Sequence, residues 1–224
     1  MNQAQYSRLF SFLFNIANDV LVQAFEKGDY KKIILPFIVL RRLDLLLEPT
    51  KEAVMKFCQT EEFQLMPEVS QEQQLCMLTR FPFYNTSAFT MKTLRAEIDS
   101  TRQRQNFEAY LDGFSLHVQD IITKFDLRHF VEKLSSVGRL GDMIEKMTDE
   151  NINLGNTPIL EAVTDEETGE EITREKLPAL DNHTMGTLFE ELLRKFNEDF
   201  SVTEAGEHYT PRDYVNLLAD LAIL

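Results

Sequence analysis

Ile33 to Leu40 is the longest strongly apolar run in this chain of 224 residues. A segment that is apolar on every side is stable in water only when other elements surround it. It is far too short to cross a bilayer, which takes about 20 such residues. The run therefore predicts a buried central helix starting near Tyr30. Pro36 falls within its first two turns, where a missing N–H costs least.

The neighbouring segments carry the pattern needed to cover such a helix. Leu9, Leu13, Ile16, Val20 and Ala24 are spaced by three and four, one face of a helix. Ser7 is its expected N-cap and Gly28-Asp29 its expected end. Glu48-Pro49 predicts a kink or stop after the central run. Phe81, Phe83, Tyr84 and Phe89 lie in a less regular stretch and are expected to pack in the core. Helical spacing returns with Phe107, Tyr110, Leu111 and Phe114, and again with Val118, Ile121, Ile122 and Phe125. Asp126 is the expected cap of a helix bearing Leu127, Phe130, Val131 and Leu134. Gly138 and Gly141 bracket a turn before a helix through Ile144 and Met147. Met185, Leu188, Phe189, Leu192, Leu193 and Phe196 form a strong amphipathic stripe, and a last helix starts at Pro211. Strand patterning is almost absent, so the fold class is mainly α.

Charge divides the chain. The net charge is −14, and residues 161–224 hold five basic against sixteen acidic residues. A free-standing basic nucleic-acid binder is excluded, because this charge repels phosphate. Cys58 and Cys76 form no C-x-x-C pair, which fits a reducing compartment. No signal-peptide pattern is visible at the start, and a soluble, cytoplasmic protein is expected. Residues 151–180 read as a boundary, with an acidic surface loop over 161–177; Thr168-Gly169 between Val163 and Ile172 allows a small hairpin instead.

Motifs for phosphate loops, metalloproteases and serine hydrolases are missing, and His117, His129, His183 and His208 are scattered, so no metal site is expected. One segment has a sharper form. In Ala205 to Asp213, Thr210 suits an N-cap, Pro211 the first helical position and Asp213 the third. Such a helix start offers free N–H groups to an anion such as a carboxylate. The same residues also suit an ordinary capped helix. A basic cluster, Lys27, Lys31, Lys32, Arg41 and Arg42, reads either as a solvated helix face balancing Asp29 and Asp44 or as a contact for DNA phosphate or an acidic partner surface.

Gly206 to Arg212, with Met185 to Leu193 just upstream, resembles the start of the catalytic domain of adenine-specific DNA methyltransferases. More narrowly, it resembles the modification (methyltransferase, HsdM-type) subunit of type I restriction-modification systems. Asn18 to Leu21 and Asp29 to Leu43 resemble that subunit's helical N-terminal domain. The resemblance implies that Glu207, His208, Tyr209, Thr210, Pro211 and Arg212 bind the methionine end of S-adenosylmethionine. It implies a helical assembly and DNA-clamp domain over 1–180. Residues 181–224 would be the first helices of a truncated, Rossmann-like α/β methyltransferase domain. The glycine-rich cofactor loop and the Asn-Pro-Pro-aromatic motif do not occur in the sequence. No catalytic residue is therefore expected here, and the chain alone should be inactive. The complete protein would methylate adenine N6 in a specific double-stranded DNA sequence, together with a specificity and a restriction subunit and without a membrane. The alternative is a non-enzymatic helical interaction module unrelated to methyl transfer.

Overall fold

Asn2, rather than Ser7, starts the first helix. Its side chain accepts the Gln5 N–H at 2.9 Å while the Gln5 side chain accepts the Asn2 N–H at 2.9 Å. This reciprocal box satisfies two terminal donors at once, which a lone serine cap cannot do. In the computed structural model, which describes residues 1–164 and 171–200, helix α1 then runs Gln3–Ile16. It widens into a π-helical turn, Ala17–Leu21, that buries Ala17, Val20 and Leu21 together. The chain breaks at Gln23, in the left-handed region at φ 71°. Gly28-Asp29 thus does not end α1; it forms a 3-10 turn, Lys27–Asp29, that leads into α2.

Helix α2, Tyr30–Leu47, is the central element that the apolar run requires. Ile33, Ile34, Phe37 and Ile38 are completely buried. Glu48–Thr50 form a 3-10 turn at the expected break, followed by α3 (Lys51–Cys58), α4 (Glu61–Leu65) and α5 (Glu68–Thr79). The aromatic stretch follows, with Phe81 stacked on Phe83 at 5.1 Å and both packed against the core. Next come α6 (Met91–Arg95), α7 (Ser100–Asp112), α8 (Leu116–Lys124), α9 (Leu127–Ser136) and α10 (Leu140–Met147). Helices α9 and α10 pack on α2 and on α7, and α6 bridges α7 and α10.

Two local readings change in mechanism. Asp126 precedes α9 as expected, but in the left-handed region at φ 52° and without a capping bond from its side chain. Gly138 does close α9, at φ 67°, with the Arg139 N–H reaching back to the Leu134 carbonyl at 2.7 Å. Gly141 is inside α10 instead of in the turn; a Cβ there would meet the Gln103 side chain at 3.3 Å.

After α10 the chain forms an antiparallel pair, β1 (Ile159–Thr164) and β2 (Glu171–Leu177), with Val163 opposite Ile172. Val163 and Ile172 thus pair as the hairpin alternative for 161–177 requires, while Thr168-Gly169 lies outside the described residues. Helix α11, Asn182–Phe200, returns to the body and lies on α1 and α2. Its Leu188, Leu192 and Phe196 are buried, as the stripe predicts. Phe196 and Phe200 pack on Phe14 at 5.0 and 5.5 Å, and Phe200 meets Tyr30 edge-on at 5.1 Å. The fold is mainly α, and none of the described helices is long and apolar enough to cross a membrane.

Candidate functional site on the central helix

The C-terminal half of α2 carries Arg41 and Arg42 into the interior, each only 6% exposed. Neighbouring residues on a helix point about 100° apart, so the two guanidinium groups serve different partners. Arg41 donates to Asp44 at 2.7 Å, one turn further along. Asp44 also accepts the Met91 N–H at 3.2 Å and the Tyr110 hydroxyl at 3.1 Å. Met91 is the first residue of α6, so a carboxylate faces the positive end of that short helix. Burial pushes the Asp44 carboxyl above its ordinary range, opposed by Arg41, the Met91 N–H and the Tyr110 hydroxyl. Burial and the neighbouring Asp44 push the Tyr110 phenol well up. The group joins α2, α6 and α7, and both Asp44 oxygens are bonded.

Arg42 makes a second junction. It donates to the Leu154 carbonyl at 2.5 Å, the Leu180 carbonyl at 2.7 Å and the Asn182 side-chain oxygen at 2.9 Å. Burial lowers its pKa from the ordinary guanidinium value, and Asp181 opposes that shift. The same neck is tied by Asn153, whose amide donates to the Thr157 and Pro178 carbonyls at 2.8 and 2.9 Å. The Leu180 N–H also meets the Gly155 carbonyl at 2.8 Å. The base of the hairpin is thereby closed by buried polar groups.

The five residues of the basic cluster do not form one face. Lys27 and Lys32 are exposed, and Lys32 lies 3.4 Å from Asp29. Lys31 is half-buried and donates to Asn197 of α11 at 3.0 Å. These three lysines border a groove of about 720 Å³ between Val22 and Lys32. Arg41 and Arg42 lie inside the fold, bonded to protein acceptors. The signal for their burial was present in part: an arginine and an aspartate three apart at the end of an apolar run make a local pair. Nothing local announces Tyr110, Leu154 or Asn153 as partners.

Lys51 is a third polar centre, half-buried, donating to the Asn85 side-chain and main-chain oxygens at 2.8 and 3.2 Å. Burial lowers its pKa from 10.5 to about 8. A depressed lysine means that the unfolded chain binds more protons between these values, so stability rises with pH from 8 to 10.5. With its partial exposure, a gain of about 1 kcal/mol is expected. Urea titrations at several pH values should show a shallower rise in Lys51→Met than in the unsubstituted protein; equal slopes would remove Lys51 as the cause.

Glu207, His208, Tyr209, Thr210, Pro211 and Arg212 lie outside the described residues. Among the described residues no group of three or more His, Cys, Asp or Glu is placed to hold a metal ion.

A family model, described as the HsdM N-terminal domain, matches residues 9–147. The match runs from the first buried residue of α1 to the last residue of α10 and covers the Arg41–Asp44–Tyr110 junction. It stops before the hairpin and α11. Comparison with curated proteins returned no match, and comparison with solved structures returned none either.

Proposed function

This chain belongs to the HsdM N-terminal domain family, and from that premise we propose that it serves an enzyme that transfers a methyl group from S-adenosylmethionine to adenine N6 in DNA. The match over more than half of the chain carries the proposal. It argues against an interaction module unrelated to restriction and modification. The complete subunit works with a specificity subunit, which selects the DNA sequence, and a restriction subunit for cleavage.

The helical domain supplies position rather than chemistry. Helix α11 is anchored on α1 and α2 through Phe196 and Phe200, and Glu207 follows seven residues after Phe200. A cofactor segment over 207–212 is therefore tethered seven residues beyond that anchor. Its residues suit the ligand chemically. The helix start that the sequence predicts at Thr210 would offer N–H groups to the carboxylate, and an aromatic ring such as that of Tyr209 suits a sulfonium cation. The cofactor supplies the methyl group. The polypeptide continuing beyond this segment is proposed to form the Rossmann-like α/β domain that completes the pocket. Lys27, in the 3-10 turn before α2, and Lys32, in the first turn of α2, are exposed and are the proposed phosphate contacts; Arg41 and Arg42 already have buried protein partners.

One set of measurements on the complete subunit tests this. Tyr209→Ala and Pro211→Ala should each weaken S-adenosylmethionine binding about tenfold, or ~1.4 kcal/mol, in calorimetry. Lys27→Ala/Lys32→Ala should lower the salt slope of DNA binding by about two in the assembled complex. Residues 1–224 alone should incorporate no labelled methyl group into DNA. Unchanged cofactor affinity in both variants would remove the assignment of 207–212, and an unchanged salt slope would return the lysines to a solvated face.

A further inference from the structure

The β1–β2 hairpin is a ribbon that the body holds but does not cover. Among the described residues it is a sheet of two strands only, so each strand keeps one unpaired edge. None of its described residues joins the core cluster. Five of the six residues of β1 are exposed, including Ile159 at 39% and Leu160 at 57%. A two-stranded ribbon is marginal in water, and an open edge invites a further strand. Yet its neck is fixed with unusual care, by the buried Arg42 guanidinium, the buried Asn153 amide and the Leu180–Gly155 bond. A rigid mount beneath an uncovered ribbon is the design of an arm.

Charge indicates what the arm meets. Residues 159–177 hold seven carboxylates, Glu161, Asp165, Glu166, Glu167, Glu170, Glu171 and Glu175, against Arg174 and Lys176. Register sets Glu161 across from Arg174, while Glu175 faces Leu160 and Glu171 faces Thr164, so neither of these two has a cation opposite it. A segment of this charge repels nucleic-acid phosphate and attracts lysines and arginines. We propose that the hairpin is a docking arm for a cationic protein surface, which pairs with its open edge and covers Ile159 and Leu160. Resting on the reading above, that surface belongs to the specificity subunit.

The neck makes a clean excision possible. The Thr157 and Pro178 carbonyls both accept from the one Asn153 amide, so a short Gly-Gly link can replace residues 158–177. The test uses the complete modification subunit and its specificity subunit. The excised form should melt within about 3 °C of the parent, because the ribbon adds nothing to the core. Its affinity for the specificity subunit should fall at least tenfold. Glu171→Lys/Glu175→Lys, which leaves the backbone in place, should weaken assembly about fivefold at low salt and less at high salt. Assembly unchanged in both variants overturns the proposal. So does a loss confined to DNA affinity, or a loss of self-association with subunit assembly intact. Failure of the unsubstituted subunit to bind the specificity subunit at all would instead overturn the functional reading, and this partner with it.

Discussion

Asp44→Ala should lower the melting temperature by about 10 °C. The substitution leaves the Arg41 guanidinium buried without its carboxylate and strips the Met91 N–H and the Tyr110 hydroxyl of their acceptor. Removing one partner from a buried ion pair costs roughly 3–5 kcal/mol, far more than the pair is worth against apolar replacements. For a protein of this size each kcal/mol shifts the midpoint by about 2–4 °C. Asp44→Asn keeps an oxygen for the Met91 N–H and the phenol but loses the charge, so it should fall between the two. Thermal unfolding followed by circular dichroism decides the matter. A drop below about 2 °C for Asp44→Ala would show that the junction is solvated and that its geometry carries little stability.

Arg42→Met should cost about 2–4 kcal/mol and act on a different region. Methionine fills much of the same volume, so the loss comes from two buried carbonyls, Leu154 and Leu180, and the Asn182 oxygen left without a donor. Part of it is offset, because a desolvated cation disappears as well. Arg42→Lys should recover less than half, since one ammonium cannot reproduce the planar fork that reaches acceptors on both sides of the neck. Hydrogen exchange locates the effect. The Leu180 amide, bonded to Gly155, should exchange at least tenfold faster in Arg42→Met, while amides of α7 and α9 keep their order of protection. Uniform acceleration across the body would mean that Arg42 supports the whole core and not the neck.

These two arginines separate what the sequence determined from what the tertiary structure decided. Local period determined the helices: Ile33 to Leu40 had to be central, and Leu188, Leu192 and Phe196 had to face the body. Burial follows a 3.6-residue repeat, which is written into adjacent residues. The acidity of 161–177 likewise predicted exposure, and most residues of β1 and β2 are exposed. Charge alone left Arg41 and Arg42 grouped with Lys27, Lys31 and Lys32, because a run of cations reads the same on a solvated face and at an interior junction. Their burial was settled by Tyr110, 66 residues from Asp44, and by Leu154 and Leu180, 112 and 138 residues from Arg42. A buried charge is tolerated only where such partners converge, and convergence across the chain is a property of packing that no local spacing encodes.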